Sequence, residues 1–304
     1  MSGTDQMSPI DRVIRMFLDV RPVGGGASLE QMRGGLEAVM AQLPIRDGAS
    51  VVADTLGGVE GYWVRAAGAS SDRVGVMLHG GGFVLGSAKG YRAFASEVSH
   101  VTQSRIFVPE YRLAPEHPFP AANVDASAAI NAAVAEVGPA NCFVVGDSAG
   151  GGLAVTGIWE LQRQGKPLPA CVVLISALVD LTVTNPSFVD LASVDPICAQ
   201  PGTRRNVGWY LDGRGPEQVP EAFPMLADLG WFPPSLVLSG GREVLRDDSR
   251  NLARKLSQEG VHVVHSEYDG MVHVWPLFAE ILPEARQALD EIGAFVSAQC
   301  TVAV

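Results

Sequence analysis

A serine between two glycines stands where an apolar run gives way to a helix-like run. The stretch Gly146-Asp147-Ser148-Ala149-Gly150 follows the apolar residues 142–145 and precedes the apolar residues 153–155. A sharp turn from a strand into a helix lifts the serine Oγ above the edge of the sheet, where it can attack a carbonyl carbon. The serine backbone is then strained, and side chains at 146 and 150 would collide, which explains the glycines. The pattern predicts that Ser148 is a nucleophile.

A glycine-rich loop upstream of the serine supplies the second part of this chemistry. His79-Gly80-Gly81-Gly82 directly follows the apolar run Val74–Leu78. Loops of this type offer backbone N–H groups to the negative oxygen that forms when a serine attacks an ester. The two motifs, found in this order, predict a serine hydrolase.

An attacking serine needs a general base, and one of the six histidines fits that task. His273 lies in a loop after the last strand-like run, at the sheet edge where Ser148 is expected to emerge. It also follows the serine and the candidate acids in the chain, which is the usual order in hydrolases of this kind. His262 and His265 lie three apart in a strand pattern, so they face opposite sides and cannot share a metal. His79 belongs to the glycine-rich loop, and we therefore predict His273 as the base.

Several acidic residues could orient that histidine. Glu243 is favoured, because it comes first in the glycine-rich loop after the strand-like run 235–239. Asp180 is a rival, because it follows the preceding strand-like run and could also reach the histidine. Asp195 is a weaker rival, since its surroundings are typical of a turn. Residues 247–248, both Asp, suit the first turn of the following helix, where the helix dipole stabilises negative charge.

Composition limits the partners and the location. The chain has 304 residues, 47% of them apolar, and a formal net charge of −11, which allows one large α/β domain and argues against nucleic acid as a partner. No apolar stretch approaches the roughly 18 residues of a membrane span. The residues 1–10 lack the pattern of a secretory signal, and the four cysteines form no C-x-x-C pair. We therefore expect a reduced, cytoplasmic protein without a metal site, in which Cys142 and Cys171 are buried.

Strand-like and helix-like runs alternate along most of the chain, which predicts a mostly parallel sheet covered by helices on both faces. The predicted strands are Ser50–Thr55, Val59–Ala66, Val74–Leu78, Ile106–Pro109, Phe143–Gly146, Cys171–Ser176, Ser235–Ser239 and Val261–Tyr268. The predicted helices include Tyr91–Thr102, Val124–Glu136 and Asn251–Gln258. Two amphipathic stripes before residue 45 predict two further helices, separated by a breaker at Pro22–Gly26.

Residues 186–224 interrupt the alternation and carry aromatic side chains among prolines and glycines. We predict that this segment and the N-terminal helices cap the carboxyl edge of the sheet, where open α/β sheets bind ligands. The alternative is a surface excursion with ordinary packing aromatics. The predicted organisation is an N-terminal helical cap segment at 1–45 and a catalytic domain at 46–304, with a cap insertion at about 186–224.

Five motifs taken together are typical of one protein family. They are His79-Gly80-Gly81-Gly82, the segment Tyr111–Ala121, Gly146-Asp147-Ser148-Ala149-Gly150-Gly151, Glu243-Val244-Leu245-Arg246-Asp247-Asp248 and Gly270-Met271-Val272-His273. With them the chain resembles the bacterial hormone-sensitive-lipase-like (family IV) carboxylesterases of the α/β-hydrolase superfamily, from about residue 50 onward. The resemblance implies an α/β-hydrolase fold with a mostly parallel twisted sheet, helices on both faces and a helical cap. Many members have Asp-Pro-Leu where this chain has Glu243-Val244-Leu245, and a subgroup with glutamate is similar.

The resemblance also implies roles for individual residues. Ser148 attacks the ester carbonyl, His273 takes its proton and passes it to the leaving alcohol, and Glu243 orients the imidazole. The backbone amides that bind the oxyanion belong to Gly81, Gly82 and Ala149. The residues that support these motifs are His79, Gly80 and Asp147. No cofactor or metal is required, and a homodimer is one expected assembly, because family members are often dimers.

The predicted activity is hydrolysis of short-to-medium acyl esters, small-molecule substrates, through a Ser-His-Glu triad and an acyl-enzyme intermediate. A lactone, an amide or a drug ester could be cleaved by the same residues, because a fold does not determine its substrate. A ligand-binding receptor on an inactive hydrolase scaffold is a different class of function. It is disfavoured, because the serine, the histidine and a suitable acid are all present.

Overall fold

The computed structural model describes residues 7–20 and 26–300, so that most of the predicted breaker at Pro22–Gly26 lies outside the described residues. The strands are β1 (Ser50–Leu56), β2 (Val59–Arg65), β3 (Val74–Leu78), β4 (Arg105–Pro109), β5 (Cys142–Asp147), β6 (Cys171–Ile175), β7 (Ser235–Gly240) and β8 (Val263–Tyr268). The helices are α1 (Pro9–Asp19), α2 (Leu29–Met40), α3 (Arg92–Thr102), α4 (Ala121–Val137), α5 (Ala149–Arg163), α6 (Ser187–Asp190), α7 (Gln200–Leu211), α8 (Arg246–Gln258) and α9 (Pro283–Gln299).

The strands form one sheet in the order β1-β2-β4-β3-β5-β6-β7-β8. β1 pairs antiparallel with β2, and β2 antiparallel with β4, whereas every later pair is parallel. The carboxyl ends of β5, β7 and β8 therefore meet at one edge of the sheet. The loops that carry Ser148, Glu243 and His273 follow these three strands, which explains how residues far apart in sequence come together.

Helices cover both faces of the sheet, as the alternating pattern predicted. Every residue of β3, β5, β6 and β7 is buried. Consecutive residues of β3 enter two different apolar cores, since Val76 packs with α4 and α5, and Met77 with α3 and α9. The expected burial of Cys142 and Cys171 is confirmed as well.

The predicted elements are present, with differences at their ends. α8 begins at Arg246, five residues earlier than predicted. Its first turn is polar and lacks the apolar periodicity on which the prediction depended. β8 begins at Val263 rather than at Val261, and as an edge strand it leaves most of its side chains accessible. The segment 186–224 contains the helices α6 and α7. Among the described residues, no helix is both long enough and apolar enough to cross a membrane.

Candidate active site

Ser148 lies at the turn between β5 and α5, where the predicted strain is present. Its backbone has φ 52° and ψ −122°, a conformation that residues other than glycine rarely adopt. A Cβ atom at Gly146 would overlap the carbonyl oxygen of Gly150, and one at Gly150 would overlap that of Leu78. Both glycines are therefore needed for the turn, for the reason that the sequence indicated.

Two hydrogen bonds connect Ser148, His273 and Glu243. The distance from Ser148 Oγ to His273 Nε2 is 3.0 Å, and that from His273 Nδ1 to Glu243 Oε2 is 2.6 Å. Because a carboxylate only accepts, the imidazole carries its proton on Nδ1, and Nε2 is free to accept the serine proton. The second oxygen of Glu243 accepts from the Gly240 N–H at 2.7 Å. The acid is fully buried, and its position is held from both sides.

Opposing effects act on the pKa of His273. Burial lowers it, because the charged imidazolium is poorly solvated, whereas Cys198 and Glu243 raise it, and the net shift is well upward. Burial also raises the pKa of the Cys198 thiol, so this neighbour is neutral near pH 7. The hydrogen bond to Glu243 and the charge of its carboxylate both act to raise the pKa of His273.

The rival acids make other contacts. Asp180 accepts from the N–H and the hydroxyl of Thr182, at 3.0 and 2.7 Å. Asp195 accepts from the N–H groups of Ile197, Cys198 and Val244, at 2.8, 2.9 and 2.8 Å. Neither carboxylate contacts His273. Asp195 instead connects the backbone at Cys198 to that at Val244, the residue after Glu243.

Asp147 anchors the glycine-rich loop to the turn that carries Ser148. Its Oδ1 accepts from the Gly80 N–H at 3.0 Å, and its Oδ2 accepts from the Tyr91 hydroxyl at 2.8 Å. The carboxyl group is buried, and burial raises the pKa of Asp147 to about 7 even though the bond from Tyr91 lowers it. This contact between the two sequence motifs fixes the distance between the serine and the loop.

His79 supports the loop and is itself neutral. Its Nδ1 donates to the carbonyl of Gly80 at 2.8 Å, and its own carbonyl accepts from the Tyr111 hydroxyl at 2.6 Å. The rings of His79 and Tyr111 stack with centroids 4.2 Å apart. Burial lowers the pKa of His79 to about 4. The motif that begins at Tyr111 therefore supports the glycine-rich loop through this hydrogen bond and this stacking contact.

Gly81 and Gly82 line the same cavity as Ser148. No hydrogen-bond acceptor for the N–H of Gly81, Gly82 or Ala149 is present within residues 7–20 and 26–300. Both glycines have positive φ, at +124° and +63°. A Cβ at Gly81 would overlap the Leu85 carbonyl, and one at Gly82 would lie 2.6 Å from Asn206 Nδ2. The chain's own atoms, and not only the approach of substrate, thus require glycine here.

A cavity of about 480 Å³ opens over these residues. It contains Ser148 and His273, and its other walls come from α1, α2, the glycine-rich loop and α7. The apolar residues of its wall include Phe17, Met32, Leu36, Val39, Ile197 and Leu277. Both segments that were predicted to form a cap line this cavity, while the domain boundaries at 45 and 186–224 stay a prediction.

Three neighbours of the site were not found from the sequence. Tyr91 opens a helix, Cys198 follows a turn, and Asn206 lies within α7, so that none of them belongs to a recognisable motif. Their positions depend on how α3 and α7 pack against the sheet edge. Within the described part of the chain, no group of His, Cys, Asp and Glu residues could hold a metal ion.

Comparison with known proteins agrees with this geometry. A family model described as "alpha/beta hydrolase fold" matches residues 75–277. An acetyl-hydrolase of Streptomyces hygroscopicus is 36% identical over 80% of this chain and 81% of its own length, and an esterase of Acinetobacter venetianus is 33% identical over 80% of both. The crystal structure of an esterase from the bacterial hormone-sensitive lipase family superposes with a TM-score of 0.92 at 36% identity, covering 99% of this chain and all of that one.

The fold and the serine turn place the chain in the α/β-hydrolase family. Within it, the chain belongs to the bacterial hormone-sensitive lipase family of esterases. The resemblance that the motifs indicated is therefore confirmed, and so are the predicted fold and the predicted class of enzyme, a carboxylic ester hydrolase.

Proposed function

We propose that this carboxylic ester hydrolase cleaves short-to-medium acyl esters with Ser148 as nucleophile, His273 as general base and acid, and Glu243 as the residue that orients the base. One observation carries the proposal: the continuous pair of hydrogen bonds from Ser148 Oγ to His273 Nε2 at 3.0 Å and from His273 Nδ1 to Glu243 Oε2 at 2.6 Å. A nucleophile, a base and an acid in this order define the chemistry of acyl transfer through a serine ester.

The proposed reaction has two halves. Ser148 Oγ forms a bond to the carbonyl carbon while its proton moves to His273 Nε2, and the carbonyl oxygen becomes an oxyanion. The bond to the alcohol oxygen then breaks, and that oxygen takes the proton from His273, which leaves an acyl group on Ser148. A water molecule attacks this acyl group and gives its proton to His273, and the acid leaves as the proton returns to Ser148.

The oxyanion is proposed to bind the N–H groups of Gly81, Gly82 and Ala149. These N–H groups have no acceptor among residues 7–20 and 26–300, and Gly81 and Gly82 line the cavity that contains Ser148, which supports this assignment. Donors that are held in place for a charge that develops only during reaction are worth about 10²–10³ in rate each. Asp147 would keep these donors at the correct distance from Ser148.

The cavity supports the proposed substrate size. A volume of about 480 Å³ with a mostly apolar wall suits an acyl chain of moderate length. The negative charge of the whole chain adds no attraction for nucleic acid. A small uncharged ester is therefore the substrate class that we propose.

The test is initial-rate hydrolysis of p-nitrophenyl esters with acyl chains from two to twelve carbons, with Ser148→Ala as the comparison. We expect turnover to fall by at least about 10³-fold in the variant, with an unchanged melting temperature. Labelling of the wild type, but not of the variant, by a serine-directed phosphonate identifies Ser148 as the nucleophile. Turnover retained in a folded Ser148→Ala variant would refute the mechanism.

Lactones, amides and drug esters can be added to the same assay. A wild type that hydrolyses one of them much faster than any p-nitrophenyl ester would move the substrate class to that compound. A folded wild type that is inert toward all of them and toward the phosphonate would favour a receptor. The cytoplasmic location and the homodimer stay predictions.

A further inference from the structure

The side-chain amide of Asn206 lies directly on the glycine-rich loop. Asn206 belongs to α7 and lines the cavity that also contains Ser148 and His273. A Cβ atom at Gly82 would be 2.6 Å from Asn206 Nδ2 and 3.3 Å from Asn206 Cβ. The amide therefore packs against the backbone of the residue whose N–H is proposed to bind the oxyanion.

Arg205 determines which way this amide points. Its Nε and Nη2 donate to Asn206 Oδ1, at 3.2 and 3.1 Å. A guanidinium group has donors only, so the amide atom that faces it must be the oxygen. The NH₂ group of Asn206 must then face Gly82 and the cavity.

Arg205 is itself held in place. Its guanidinium carbon lies 5.2 Å from the centre of the Trp209 ring, and its Nη2 lies 3.0 Å from the sulfur of Met32 on α2. The ring and the sulfur hold the guanidinium against the Asn206 oxygen, and Arg205 also lines the cavity. The direction of the amide is thus set by two helices, α2 and α7.

The NH₂ group of Asn206 has no acceptor among the residues that the structure describes. It is a half-buried donor in a cavity whose wall is mostly apolar. In a mostly apolar pocket, a small number of polar groups at fixed positions determines which ligands bind. A bound molecule with an acceptor atom at this position would satisfy the donor, and one without such an atom would leave it unpaired.

We propose that Asn206 is a specificity-determining residue, whose amide NH₂ donates a hydrogen bond to esters that carry an ether or keto oxygen close to the reacting carbonyl. This proposal rests on the proposed function, since it assumes that the ester reacts at Ser148 beneath Gly82. It predicts that an ester with such an oxygen is preferred over the hydrocarbon ester of the same shape, beyond the difference in their chemical reactivity.

The test compares p-nitrophenyl methoxyacetate with p-nitrophenyl butyrate, whose acyl chains differ only in an ether oxygen that replaces a methylene group. The measured quantity is the ratio of their kcat/KM values. Dividing the ratio of a variant by that of the wild type removes the intrinsic reactivity of the two esters. We expect Asn206→Leu to lower the ratio by roughly three- to ten-fold, the effect of one hydrogen bond.

Asn206→Asp provides a second variant of nearly the same shape. Its carboxylate can keep the contact with Arg205 but presents an acceptor instead of a donor to the cavity, so the ratio is expected to fall at least as far. The matched control is Arg204→Gln. Arg204 is the neighbour of Arg205 on α7, bonds to the carbonyl of Val183 and does not line the cavity, so its loss should leave the ratio unchanged.

Each outcome decides the proposal. A ratio that falls in both Asn206 variants and stays constant in Arg204→Gln supports it. An unchanged ratio in Asn206→Leu and Asn206→Asp, or an equal loss of activity on both esters, overturns it, because Asn206 would then act on the loop and not on the substrate. Failure of the proposed function is distinguished by Ser148→Ala, since turnover of both esters would persist in that variant.

Discussion

At the scale of single residues, Glu243 differs from the nearby carboxylates in its contacts. It accepts the Nδ1 proton of His273 at 2.6 Å, which selects the tautomer, and its charge raises the pKa of that histidine. Asp180 and Asp195 have carboxylates in the same region, but theirs are bound to Thr182 and to backbone N–H groups. Removing the charge at 243 should therefore affect catalysis in a way that removing it at 180 does not.

We expect Glu243→Gln to lower kcat by about 10³- to 10⁴-fold, because the amide no longer enforces the reactive tautomer. The remaining activity should also have a different pH dependence. The base must be neutral to accept a proton, so activity falls below the pKa of His273. Loss of the carboxylate lowers that pKa, and the acid limb of the kcat profile should move to lower pH.

The control for this substitution is Asp180→Asn, with an expected change in kcat of less than about two-fold, as for a residue away from the reacting groups. The measurement is kcat for p-nitrophenyl butyrate from pH 5 to 9. If Asp180→Asn costs as much as Glu243→Gln, or if the acid limb of Glu243→Gln moves upward, Glu243 is not the residue that orients His273.

The sequence predicted the site residues that belong to motifs, but not those that reach the site only through the packing of distant elements. Ser148, His273 and Glu243 each follow a strand, so that their approach at one sheet edge could be foreseen. Asn206 lies in a helix of low amphipathicity inside an irregular segment, and its contact with Gly82 arises only when α7 packs over the sheet. Side-chain contacts between distant elements of this kind have no local sequence signal.

At the scale of secondary-structure elements, α2 forms a wall of the cavity as well as part of a core. Val39 and Met40 are buried in an apolar core that the partly buried Leu36 also contacts, and all three residues line the cavity. The helix begins with a capping box in which Ser28 and Gln31 bond each other's backbone N–H groups. Its position is thus defined at the start, and its side chains should limit the length of the acyl group.

We expect Leu36→Phe to shorten the preferred acyl chain, because the larger ring occupies part of the cavity. Relative to the acetate, kcat/KM for the longest ester that the wild type accepts should fall by about ten-fold or more. Leu18→Phe on α1 is a matched control, since Leu18 is exposed and does not line the cavity. The same change in chain-length profile in both variants, or none in Leu36→Phe, would contradict a role of α2 in substrate size.

At the scale of the whole molecule, two buried acids link the elements around the site. Asp147 joins the glycine-rich loop to the serine turn, and Asp248, at the start of α8, accepts from the N–H groups of Val179 and Asp180 and from the Asn185 amide. The expected place of Asp248 in the first turn of a helix is confirmed, but its burial was not foreseen. Negative charge suits a helix start in solvent, and only the tertiary structure reveals that the carboxyl is enclosed.

Burial raises the pKa of Asp248 from 3.8 to about 7, and this predicts how the stability of the protein depends on pH. The folded state holds the proton more tightly than the unfolded chain, so folding takes up a proton between about pH 4 and 7. Asp248 therefore stabilises the fold most at the acidic end of this range, and that contribution is lost as the pH rises toward 7. His79, whose pKa is lowered to about 4, acts in the opposite direction, so the informative quantity is the difference between a variant and the wild type.

Asp248→Asn removes the titrating group and retains an oxygen that can accept the bonds from Val179 and Asp180. We expect the free energy of unfolding of the variant, minus that of the wild type, to rise with pH between 5 and 7, by up to about 1.4 kcal/mol per pH unit. Urea denaturation at several pH values gives this difference directly. The other titrating groups behave alike in both proteins, so they cancel in this difference between the two free energies of unfolding. A difference that stays constant or falls as the pH rises would mean that the Asp248 carboxyl is already ionised throughout this range in the folded protein.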